Sequence, residues 1–124
     1  MSKPDSLKYG AVFTMEFPYA DDLKLVDIRP AVVVSMDTFN AIWPKKKVVV
    51  APITTKRPNP LNQYHILVKE GTKEYQESGL LRSSYIRLDK LISVDEDLVI
   101  KFIGRFSQEF MKKSSVSELC KSIF

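Results

Sequence analysis

Four residues of this chain are of types that, brought together, would act on a phosphate: Arg29, Thr54, Arg87 and Asp89. An arginine guanidinium is a planar fork that matches phosphate oxygens, and a threonine hydroxyl both donates and accepts hydrogen bonds. An aspartate beside an arginine can take a proton while the arginine stabilises developing negative charge. Arg29 stands one residue ahead of "PAVVV", an unbroken apolar run, and Thr54 and Thr55 close "APITT". Arg87 and Asp89 are two apart in "YIRLDKL", a spacing that projects both from one face of a strand. Such a set suits phosphodiester chemistry with no metal ion.

Each residue also has a plainer explanation. An arginine at a strand entrance can be a solvated end or an ion-pair partner. Threonines at a strand exit form turns, and Arg87 and Asp89 can simply hold each other or a neighbouring strand. His65, the one histidine, lies inside an alternating stretch and reads as structural. The run Lys45–Lys47 reads as a solvated, charged edge.

The elements that must carry these residues follow from periodicity. After Gly10, Val12, Thr14 and Glu16 alternate with Phe13, Met15 and Phe17, which predicts a first strand. A polar loop follows, and "PAVVVSM" is a second strand whose β-branched run predicts burial on both faces. "DTFNAIW" is a loop or a single helical turn capped by Asp37, and "KKKVVVAPIT" is a third strand. The prolines of "KRPNPLN" impose a loop; "QYHILVK" is a fourth strand, and "SSYIRLDKLISV" a fifth with a bend in it. Leu98, Val99, Phe102, Ile103 and Phe106 fall on one helical stripe, so a helix capped by Asp95 is expected. Ser115 and Glu118 have capping-box spacing and predict a short final helix. Strands first and helices last indicate a small, curled antiparallel sheet or barrel with helices against it.

Composition sets the outer limits. The 124 residues suffice for one domain with a real core, and 44% apolar and 27% charged residues are ordinary for a globular chain. A net charge of +4 permits an anionic partner such as nucleic acid without requiring one. A single cysteine, Cys120, and a single histidine argue against a disulfide, a zinc centre or a multi-histidine triad. The polar N-terminal stretch has no secretory h-region, and the apolar runs are far too short for a membrane span. A cytoplasmic location is expected.

Four segments in order, "RPAVVVS", "VVVAPIT", "GLLRSSYIRLDKL" and "IGRFS", resemble the MazF/PemK family of toxin endoribonucleases, which includes Kid-like members. The resemblance runs from about Gly10 to Ser107. It implies one domain over residues 1–124, with a core of about 10–107 and a helical tail at 108–124. The implied fold is mainly β with C-terminal helices, a small SH3-like barrel of MazF/PemK/CcdB type, assembled as a homodimer. The implied activity is sequence-specific, metal-independent cleavage of single-stranded RNA, an mRNA interferase with no cofactor. The substrate's own 2′-hydroxyl would attack the adjacent phosphate, and a cognate antitoxin protein would hold the enzyme inactive.

The resemblance also assigns roles. The family's arginine before proline falls on Arg29 and the threonine of Pro-Ile-Thr on Thr54; the Arg-x-Asp pair of Kid-like members falls on Arg87 and Asp89. Arg29 would stabilise the scissile phosphate with Thr54 orienting it. Asp89 would accept the 2′-hydroxyl proton and Arg87 would assist the leaving 5′-oxygen. Thr55, Lys56, Arg57 and Ser84, beside these residues in sequence, are the further candidates for RNA contact. The alternative is a non-catalytic RNA- or protein-binding module on the same fold. A gyrase poison of the same fold fits less well, because "CKSIF" lacks that group's Trp-Gly-Ile ending.

Overall fold

The computed structural model describes residues 7–17, 27–35, 37 and 47–113. Three strands make its centre: β1 (Ala11–Phe17), β2 (Asp27–Val33) and β3 (Lys47–Thr54). β1 and β2 pair antiparallel with Val12 opposite Val32, and β2 pairs antiparallel with β3 with Val32 opposite Ala51. Their alternation sends side chains to two apolar clusters. Val12, Val32, Val49, Ala51 and Ile53 enter one, with Ile86, Phe106 and Met111. Phe13, Met15, Ala31, Val33, Val48 and Val50 enter the other, with Val94 and Val99. This is the burial on both faces that the β-branched run of β2 predicts.

Around the centre lie β4 (His65–Val68), helix α1 (Lys73–Ser78), β5 (Ser84–Arg87) and β6 (Ile92–Asp95). Then come β7 (Val99–Arg105) and helix α2 (Gln108–Lys113). The strand order is β4-β5-β3-β2-β1-β7, with β6 also on β3. β5 and β6 lie along the same edge of β3, separated by a 3-10 turn at Leu88–Lys90, so the expected fifth strand is two strands around a bend. The fold is mainly β, as expected, but the barrel is not closed: the path runs open from β4 to β7.

Two helical expectations change. The stretch predicted as a helix after Asp95 is a 3-10 turn at Glu96–Leu98 followed by strand β7, which pairs with β1. Its pairing contains register shifts opposite Val12/Phe13 and Thr14/Met15. Such bulges break period-two alternation, so the apolar positions drift into helix-like spacing. Conversely, α1 was hidden in the polar "TKEYQESG". Thr72 caps it by accepting the Tyr75 N–H at 3.3 Å, and Gly79 ends it with a left-handed φ of 76°. A Cβ on Gly79 would strike the Ile103 carbonyl, and one on Gly104 would strike the backbone of Glu77 and Ser78. Two glycines thus let α1 lie backbone to backbone on β7. The final helix expected from Ser115 lies outside the described residues, as does most of the Asp37 turn; Asp37 Oδ1 itself accepts the Tyr9 N–H at 3.0 Å.

Candidate functional site

Arg29 does not precede its strand but lies within it, opposite Met15 of β1. β2 pairs with β3 only from Ala31 onward, so its segment Asp27–Pro30 has a described neighbour on the β1 side alone. There Pro30 deprives no ladder of a donor, and Arg29 is exposed. On β3, Pro52 falls between the end of pairing with β6 at Val50 and its start with β5 at Ile53. Each proline therefore sits where pairing lapses on one edge of its strand, while the other edge stays paired, Pro30 with Thr14 and Pro52 with Ala31.

Thr54 is the last residue of β3, opposite Tyr85 of β5. Its hydroxyl accepts the Lys56 N–H at 3.1 Å, a local turn that aims the following loop. The turn-forming and site readings of Thr54 thus coincide. Arg29, Thr54 and Arg87 line one cleft of about 630 Å³ together with Phe17, Pro52, Pro58, Asn59, Lys56, Arg57 and Lys90. Among the described lining residues five are cations, Arg29, Lys56, Arg57, Arg87 and Lys90, and none is a carboxylate. Phe17 and the prolines supply an apolar wall.

Asp89 does not share a strand face with Arg87, as the period-two spacing suggested. Arg87 ends β5 and Asp89 lies in the 3-10 turn that follows. The turn nonetheless brings them together: Arg87 Nε donates to Asp89 Oδ1 at 3.2 Å and Nη2 to Oδ2 at 2.8 Å. This fork-on-carboxylate geometry is the strong form of the pair. Burial alone would raise the Asp89 pKa, but the hydrogen bonds and charge of Arg87, with help from His65, hold it below the ordinary carboxylate value. Asp89 is not among the described residues lining the cleft; it is ion-paired with Arg87, which does line it.

The remaining candidates divide. Lys56 and Arg57 line the cleft, and Thr55, between Thr54 and Lys56, is exposed but does not line it. Ser84 is turned away: it is buried, and its hydroxyl donates to the Arg82 carbonyl at 2.9 Å. Sequence reasoning missed Lys90, whose only signal was its place beside Asp89, and Phe17, Pro52 and Asn59. It also set aside His65, which pairs in register with Arg87 and reaches Asp89 from within the protein. Among the described residues no three or more His, Cys, Asp or Glu are grouped to hold a metal ion, and no helix is long and apolar enough to cross a membrane.

Residues 8–117 match the model of the PemK-like, MazF-like toxins of type II toxin–antitoxin systems. The chain belongs to that family. No curated protein matches the sequence significantly. Solved structures extend the likeness in fold. One is an endoribonuclease in complex with its cognate antitoxin from a mycobacterial species, at TM-score 0.64 and 19% identity, over 94% of this chain and 93% of that one. A second is the Mycobacterium tuberculosis toxin MazF-mt6, at TM-score 0.63 and 14% identity, over 91% and 95% of the respective chains. A third, an endoribonuclease from a mycobacterial species, has TM-score 0.62 and 18% identity, over 94% and 89%. At these identities the structural likeness speaks for the fold of this PemK/MazF-like chain; the family assignment comes from the family model.

Proposed function

We propose that this PemK/MazF-like chain is an endoribonuclease toxin that cuts single-stranded RNA at a particular sequence, without a metal ion, and is neutralised by a cognate antitoxin. The observation that carries the reading is the cleft that gathers Arg29, Thr54 and Arg87 from three strands with Lys56, Arg57 and Lys90, and with no carboxylate among its described lining residues. A cationic groove with an apolar wall suits a phosphate backbone whose bases are unstacked. The neighbour solved with its cognate antitoxin supports a protein partner of the same kind. A homodimer of this chain is part of the same proposal.

In this mechanism the RNA 2′-oxygen attacks the adjacent phosphorus and the bond to the 5′-oxygen breaks, leaving a cyclic phosphate and a 5′-hydroxyl end. Arg29 meets the charge that accumulates on the phosphoryl oxygens, and Thr54 orients the group. Such contacts accelerate the reaction because the transition state carries more negative charge than the substrate does. Arg87 turns from Asp89 to the phosphate and hydrogen-bonds the departing oxygen, which takes its proton from solvent. That exchange frees a carboxylate oxygen and removes the cation that depresses the Asp89 pKa. Asp89 then accepts the 2′-hydroxyl proton and later returns it to water.

A second reading is a binding module with the same cleft and no chemistry. The closed Arg87–Asp89 pair favours it, because both carboxylate oxygens are occupied at rest. One experiment separates the two: the purified chain is incubated with a mixed RNA pool in chelator and new ends are mapped, with Arg29→Ala beside it. Cuts at a recurring short sequence, bearing 5′-hydroxyls and lost in the variant, establish the ribonuclease. A folded, antitoxin-free chain that binds RNA and makes no cuts establishes the module.

A further inference from the structure

We infer that His65 is a positioning residue for Asp89, holding the carboxylate from the protein interior so that Arg87 can leave it for the phosphate. This rests on the ribonuclease reading and adds a residue that never touches RNA. The imidazole is enclosed, with its side chain 2% exposed. Its Nδ1 accepts the Asn62 N–H at 3.1 Å, so the neutral ring carries its proton on Nε2. Nε2 lies 3.4 Å from Asp89 Oδ2, within ion-pair reach. Yet its alignment makes no hydrogen bond, and the atom is buried without such a partner. A buried donor left unsatisfied is costly. Here the missing bond is a small shift away, and the acceptor is the carboxylate the mechanism must release from Arg87.

The surrounding backbone keeps the ring on target. The Asn62 side chain accepts the Tyr64 N–H at 2.9 Å and the Asn62 carbonyl accepts the His65 N–H at 3.1 Å, making a stiff turn. Leu88, next to Asp89, donates its N–H to the Tyr64 carbonyl at 2.8 Å. The turn before β4 therefore clasps the turn that carries Asp89. At rest Arg87 holds both carboxylate oxygens; when it swings to the phosphate, Asp89 moves the short distance onto Nε2–H. The carboxylate stays in place as the proton acceptor instead of drifting into solvent.

Two conservative variants split this role from simple support of the turn. His65→Gln places an N–H donor near the Nε2 position but no acceptor near Nδ1. His65→Asn places an acceptor near Nδ1 but no donor toward Asp89. The expected result, for variants that melt as the parent does, is that Asn lowers kcat about tenfold or more with KM within about twofold. That is the scale of one hydrogen bond to a charged group. Gln is expected to retain kcat within about threefold. The reverse pattern, Asn active and Gln impaired, overturns the inference and leaves a turn-supporting histidine. If the parent cuts no RNA, the ribonuclease reading fails on its own, and the contact is read by NMR instead. The Asp89 carboxyl resonance is then followed in the parent and in Arg87→Ala with His65, His65→Gln or His65→Asn. A resonance that shifts with Asn and not with Gln supports the anchor; one indifferent to both overturns it.

Discussion

If five cations line one cleft, RNA binding must weaken with salt by an amount the structure limits. Among the described residues the cations are Arg29, Lys56, Arg57, Arg87 and Lys90. For a single strand, the logarithm of affinity falls against the logarithm of salt with a slope of about −0.7 for each phosphate neutralised. Five contacts give about −3.5; four, should Arg87 remain on Asp89, give about −2.8. A fourfold rise in salt, from about 50 to 200 mM, should then weaken binding roughly 50- to 130-fold. The assay is fluorescence anisotropy with a pool of 2′-O-methyl oligonucleotides, whose blocked 2′-oxygen prevents cleavage and isolates binding. Replacing Lys56 by Ala should flatten the slope by about 0.7, which over the same range is roughly 2.6-fold. A parent slope shallower than about −1, or a Lys56→Ala slope equal to the parent's, would refute the placement of the RNA backbone in this cleft.

Further outcomes follow from the same geometry. Arg29→Ala should reduce cleavage about 10²- to 10³-fold with circular dichroism unchanged, since Arg29 is exposed on a one-sided strand segment; activity within about threefold of the parent would remove Arg29 from the mechanism. The folded-state pKa of Asp89 is depressed, so its ion pair stabilises the fold above the ordinary carboxylate pKa and is lost as pH falls through the folded value. Urea titrations of the parent and Asp89→Asn should therefore differ by up to about 1 kcal/mol at neutral pH and converge well below about pH 4; a gap constant with pH would contradict the pairing. Gly104→Val should cost about 2–3 kcal/mol in the same titrations, because its side chain meets the backbone of Glu77 and Ser78, which cannot swing aside as a side chain would. A loss under about 0.5 kcal/mol would show that α1 does not sit on β7 as described.

Much of the architecture is legible in the sequence because a half-buried or fully buried strand writes its period into residue type. β1, β3 and β4 follow from alternation and β-branched runs, and the bend within "SSYIRLDKLISV" becomes the turn between β5 and β6. Sequence also named three residues that the fold gathers in one cleft, Arg29, Thr54 and Arg87, together with Lys56 and Arg57. Where local pattern and tertiary pairing diverge, the pattern misleads. Val99, Phe102 and Ile103 have helical spacing, yet bulged pairing with β1 makes their segment a strand. The polar α1 carries too few apolar positions to announce itself, and it holds its place through Gly79 and Gly104, whose meaning depends on what approaches them. Period-two spacing suggested that Arg87 and Asp89 shared a strand face; a 3-10 turn joins them instead. Nothing in the order of residues shows that His65 lies opposite Arg87 with its Nε2 3.4 Å from Asp89 Oδ2. That contact depends on β4 and β5 meeting in one register across the intervening helix, and on backbone hydrogen bonds between two separate turns. Residue types determined which chemistry this chain could hold; long-range pairing decided which of those residues meet.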